Sequence, residues 1–266
     1  MKGWDNDMIH ISVRTADGTV LASAEHPEEA WLSVDRVYQE GDEIRITGPA
    51  RLRVRMDQAL RSGEVFLPAG VMTWRVPFGE HRLAYAPGTF EAPRHIICAK
   101  AVPEDEWHAV RNLSRNPADL RGETDFYPHC TANVETRNEA CFCARNVIDG
   151  LRLNTFHGEW PFQSWGIGAR ADAWCLLDFG RDVSVDAMAL TLRADFPHDA
   201  YWVSGCAALS DGGEVSFPLR KTGDRQFVSL GERTIRWIRL ERLVKSGDPS
   251  AFPALTQWEV FGRDPE

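Results

Sequence analysis

The strongest constraint on this chain is a rhythm of short alternating segments cut by turn residues, with almost no helical periodicity beside it. MIHISV runs into Ala-Asp-Gly-Thr and out through VLASA, a hairpin pattern with Asp17-Gly18 at its tip. WLSVDRVYQ, EIRITG and RLRVRM follow, the last alternating charged and apolar residues as a half-buried strand does. GEVFLPAG, MTWRVPF, HRLAYA and HIICAKAV continue the series, and only EDEWHAVRNL around Trp107 suggests a helix. Strand signals recurring at roughly 8–12 residues indicate sandwich or jelly-roll architecture. The missing alternation with helices argues against Rossmann and TIM-barrel folds.

At 266 residues the chain has room for two domains, each with its own core. The expected division is an N-terminal β-sandwich over 1–110, an ordered connecting segment over 111–145, and a second β-domain over 146–266. The connecting segment is polar and Pro-containing, but Phe126, Tyr127 and Phe142 give it something to bury. The expected fold class is therefore all-β, with two β-sandwich domains.

The net charge of −9 argues against a nucleic-acid partner, because phosphate binding needs clustered Lys and Arg. No apolar run approaches the ~18 residues of a spanning helix, so no membrane partner is expected. MKGWDNDMIHISV lacks the apolar stretch of a signal peptide. A cytoplasmic location follows as the expectation, or a secreted one if a leader has been removed. His129-Cys130 with Cys141 and Cys143 has the composition of a soft metal site. It lacks a C-x2-C knuckle, however, and a C-x-C pair on a strand points to opposite faces. Packed free thiols are the simpler expectation, for these and for Cys175 and Cys206.

Three anchors order the second half: Ile148-Asp149-Gly150, then Asp178-Phe179-Gly180, then Glu259-Val260-Phe261-Gly262, with Ser210-Asp211-Gly212-Gly213 between the last two. In this order and spacing, over roughly 120 residues, they resemble the discoidin (coagulation-factor C-type, galactose-binding-like) domains, notably the carbohydrate-binding ones. The resemblance implies a discoidin-like jelly roll with a carbohydrate ligand at one end of the sandwich. It also implies a structural Ca²⁺ site at the matching positions Asp149, Asn154 (or Thr155) and Glu259, all hard oxygen donors. Against this, Asp149 could serve only its own Asp-Gly turn.

The strands expected at 174–179 and 184–193 are separated by Arg181-Asp182 and read as an antiparallel hairpin. The loop before the first and the loop after the second would then share one end of the sheet. These loops hold His157, Trp160, Trp165 and Arg170, then Arg193, Asp195, His198, Asp199 and Trp202. A pyranose offers a C–H face that packs on an indole and a rim of hydroxyls that pairs with Arg, His and Asp, so these residues are the expected ligand-binding set. The competing expectation is that Trp160 and Trp165 plug the sandwich end and that Arg193 pairs with Asp195 or Asp199. Trp174, Trp237 and Trp258 lie in strand patterns and are expected in the core. The favoured function is a non-catalytic carbohydrate-binding protein. One alternative is an enzyme or enzyme subunit acting on sugars, with acid-base residues among His157, Asp195, His198 and Asp199. The other is an assembly subunit, forming a homo-oligomer or serving a partner enzyme.

Overall fold

The computed structural model describes residues 8–154, 158–193 and 200–265. In the first half the alternating segments become β1 (Ile9–Arg14), β2 (Val20–His26), β3 (Glu29–Asp35), β4 (Glu43–Thr47), β5 (Arg51–Arg55), β6 (Gly63–Phe66), β7 (Val71–Arg75) and β8 (Arg94–Ala101). They form two four-stranded sheets, ordered β2-β1-β4-β7 and β3-β8-β5-β6. Period-two burial drives this arrangement: Ile44, Ile46, Leu52 and Val54 are fully buried, while the arginines between them reach the surface. At the β1–β2 tip Gly18 has φ +86°, and the Asp17 carboxylate accepts the Thr19 N–H at 3.1 Å.

HRLAYA is not a strand. Gly79–Ala84 is a 3-10 turn entered by Gly79 at φ +56°, and the Arg82 guanidinium donates to the Pro77 carbonyl. The Pro77-Phe78-Gly79 turn redirects the chain before alternation can be used. The helical signal near Trp107 yields one turn, Glu104–Trp107.

The second half contains β9 (Arg111–Asn112), β10 (His129–Ala132), β11 (Trp165–Gly166), β12 (Cys175–Leu192), β13 (Trp202–Leu209), β14 (Glu214–Pro218), β15 (Gln226–Lys245) and β16 (Ala254–Arg263). Here the expected hairpin is replaced by a bent strand. Residues 175–192 run on as β12, and both of its halves pair antiparallel with β15. The register jumps from Asp178↔Trp237 to Val183↔Ile235, and again near Ala187↔Ser229. Gly180 and Gly231, each at φ +70°, sit in these two interruptions. Bulges of this kind bend a strand pair without ending it, so Arg181-Asp182 turns a corner and reverses nothing.

Because of the corner, β12 and β15 serve both layers. One layer is β10, the first half of β12, the second half of β15, β13 and β14; the other is the first half of β15, the second half of β12, β16 and β11. This is a two-layered antiparallel β-sandwich. Its core holds Trp165, Trp202 and Trp258, each at most 1% exposed. Of the three tryptophans expected inside, only Trp258 is buried; Trp174 and Trp237 are half-exposed, and Trp174 lies beside the Arg239 guanidinium.

The segment 111–145 belongs to both halves. β9 extends β16 and β10 extends β12, whereas Ala118, Phe126, Ala140 and Cys143 join the first domain's core. Arg145, 2% exposed, donates to the carbonyls of Asp119, Ala84 and Pro117 at 2.9, 2.8 and 3.0 Å and lies over Tyr85. A buried guanidinium needs such a set of acceptors.

Candidate functional site

The described residues that flank β12 meet at one end of the sandwich. Leu255 of β16 pairs with Trp165 on one side and with Leu192 on the other, which brings both flanks to the same strand. Beyond Trp165 the chain turns through Gly168 and Ala169, both in the left-handed region (φ 56° and 64°), and Thr136 Oγ1 accepts the Gly168 N–H. This turn carries Arg170 outward. Trp202 opens β13 opposite Lys245, and its ring packs on Trp165 at 6.3 Å between centroids.

Between these elements lies a groove of about 400 Å³. Ile167, Leu243, Val244, Ala251 and Pro253 give it apolar walls, Trp202 forms part of its floor, and Arg170, Arg242 and Lys245 supply cationic groups. The buried Trp202 Nε1 has no hydrogen-bond partner among the described residues. Arg170 forks onto Asp172, with 48% and 67% of the two side chains exposed, so water already screens this pair and a ligand can compete for it. Arg242 stands at φ 51° and reaches Glu214, Glu241 and the Cys206 thiol.

The expected ligand set is thus divided. Arg170 and Trp202 meet in the groove. Trp165 is fully buried and acts as the plug its neighbours suggested. Arg193, 1% exposed, lies against the Phe142 and Phe162 rings, 5.8 Å from each, so it is packed inside rather than lining the groove. Trp160 is 37% exposed and turns to the junction with the first domain, where it lines a small cavity with Asp149, Arg145, Tyr85 and Arg61. His157, Asp195, His198 and Asp199 lie outside the described residues.

Arg242, Lys245, Ala251 and Pro253 were not singled out from the sequence. The signal was there: the Gly/Pro/Ser-rich stretch 246–253 joins two strands and so must form a loop.

The three positions matched to calcium are differently engaged. Asp149 is buried, and its carboxylate accepts the Leu151 N–H at 2.7 Å. Burial pushes its pKa up to about 7, against the pull of Arg145 and of that hydrogen bond. Both polar atoms of the Asn154 amide are buried without a partner among the described residues. Glu259 has both oxygens on Arg225, a guanidinium where a cation's charge would be needed. Asp149 and Asn154 keep oxygen lone pairs for a cation, and Glu259 can join them only if Arg225 lets go. The cysteines gather no soft metal site: among the described residues no three His, Cys, Asp or Glu side chains converge. Cys130 faces Cys175 with the sulfurs 3.3 Å apart, Cys143 donates to the Ala140 carbonyl, and Cys141 points to Glu139.

No family model matches the chain, and no curated protein matches it. Solved structures do. A chitosan-binding module 1 from a chitosanase/glucanase of Paenibacillus sp. IK-5 is 20% identical, covering 58% of this chain and 100% of its own, with a TM-score of 0.39. The family 32 carbohydrate-binding module of C. perfringens NanJ, in complex with galactose, is 16% identical over 50% of this chain and 91% of its own, with a TM-score of 0.39. A Streptococcus pneumoniae fucose binding module is 16% identical over 57% of this chain and 96% of its own, with a TM-score of 0.41.

Proposed function

We propose that this protein binds carbohydrate without transforming it, in the groove at the loop end of the C-terminal sandwich. One observation carries the reading: apolar walls and three cationic side chains share a groove of about 400 Å³ at that end. The walls suit the C–H faces of a sugar ring, and Arg170, Arg242 and Lys245 suit its hydroxyls. The volume lies within the roughly 300–1,000 Å³ range of small-ligand sites.

A glycan array followed by calorimetry on the hits tests this. Ala251 is exposed, so Ala251→Trp fills the groove without disturbing a core. It is expected to abolish binding, and Arg170→Ala to weaken it by about tenfold, roughly the value of one charge-assisted hydrogen bond. Sugar binding that survives Ala251→Trp unchanged would place the site elsewhere.

A further inference from the structure

The junction between the two domains holds a second crevice, of about 360 Å³, remote in chemistry from the groove. Arg51 and Arg53 enter it from the first domain, Arg111 and Arg115 from the connecting segment, and Arg181 from the corner of β12; Glu64 is the only carboxylate among the lining residues. In a chain of net charge −9 this is a marked local reversal.

Much of this charge is partnered, and the partnering shows the imbalance. Asp264, 2% exposed, takes Arg181 at 2.6 Å, Arg51 at 2.7 Å and Arg111 at 2.8 Å. Glu64 takes Arg53 and Arg111, and Glu106 takes Arg53. Arg115 donates to the Ser62 carbonyl at 2.8 Å and has no carboxylate partner among the described residues. Five guanidiniums therefore meet three carboxylates. Arg51 and Arg181, one from each domain, flank the same Phe66 ring at 5.6 and 5.1 Å from its centroid. Their side chains are only 15% and 14% exposed, so water screens the surplus poorly. Burial and its neighbouring guanidiniums pull the Arg181 pKa below its usual value, despite Asp264. Arginine forks are also the groups best shaped for planar oxyanions.

We propose that this junction crevice binds an oxyanion, a phosphate or carboxylate group, with Arg53 and Arg115 as the contacts that complete its shell. The bound anion neutralises the surplus and joins the domains more firmly. Such a group can arrive as a free ion or as part of an acidic sugar, and the experiment separates these sources.

Calorimetry with inorganic phosphate, glucuronate and glucose, on the full chain at constant ionic strength set with chloride, reads the site directly. Saturable binding of phosphate or glucuronate but not glucose is expected, weakened about tenfold by Arg53→Gln or by Arg115→Gln. Phosphate binding alone assigns a free anion, and tighter glucuronate binding assigns the acidic sugar. Ala251→Trp, which closes the groove, should leave the binding of either anion unchanged, so the two sites succeed or fail separately. Heats no larger than those of chloride, or affinities equal in all variants, overturn the proposal. Selenate soaked into wild-type crystals poses the same question without a substitution: an anomalous peak beside Arg53 and Arg115 supports the site, and none there overturns it.

Discussion

Arg225 grips Glu259 through both carboxylate oxygens, at 2.7 and 2.9 Å, while its guanidinium lies over the rings of Phe227 and Phe261. The pair occupies one of the three positions that resemblance to discoidin domains matches to calcium. A guanidinium and a divalent cation compete for the same oxygens there. Arg225→Ala is expected to lower stability by roughly 1–3 kcal/mol, since it strands a buried carboxylate. Millimolar Ca²⁺ should restore more of the melting temperature in the variant than it adds to the wild type. Equal calcium shifts in the two proteins would show that Arg225 does not compete.

Gly180 makes the corner of β12 at φ +70°, and a Cβ there would lie 2.3 Å from the Tyr127 ring. Gly180→Ala therefore combines backbone strain with a clash and should cost about 2–4 kcal/mol in urea denaturation. Adding Tyr127→Ala removes the ring clash, leaving a tight 3.0 Å approach to the residue 127 Cβ, but not the strain. The double variant should recover part of the loss, measured from Tyr127→Ala alone.

His129 and Asp119 form a buried pair at 2.7 Å. Burial alone would lower the imidazole pKa, but the Asp119 carboxylate outweighs it and the pKa is raised above 6.5. A raised histidine contributes stability that is fully present below pH 6.5 and is lost as pH climbs through the folded value. Wild-type stability should accordingly fall across that window, and His129→Gln should flatten the slope. An unchanged pH profile in the variant would assign the slope to other groups.

Asp264 holds three guanidiniums drawn from three parts of the chain. Asp264→Asn leaves them facing one another and should destabilise the fold by about 3–5 kcal/mol. Inorganic phosphate should restore the variant's melting temperature more than it raises that of the wild type. Equal shifts would show that the anion does not take over the work of Asp264.

The strands of the first half were legible because period-two burial is local: each turn carries its own Gly, Asp or Pro. HRLAYA failed for the complementary reason, since the left-handed Gly79 just before it sets the path that its apolar residues follow. The corner at Gly180 was misread because a turn signal does not say whether the chain reverses or bends; that depends on the distant partner β15. Site residues were harder still. Nothing local tells Trp165, packed beside Trp202 in the core, from Trp160, half-open at the junction. Arg193 and Arg170 look alike in sequence, yet one is walled in by phenylalanines and the other reaches water. The junction crevice has no linear signature, because its five arginines come from three separate strands and the turn after β9.

The shared ownership of residues 111–145 has a consequence for heredity. A break before this segment would take Phe126 and Cys143 out of the first domain's core, and a break after it would strip β9 and β10 from the second domain. Each break leaves one half incomplete, so recombination at either end of the segment is expected to pass on one damaged sandwich. The two sandwiches are therefore expected to be inherited as one unit, with any binding surface at their seam inherited along with both.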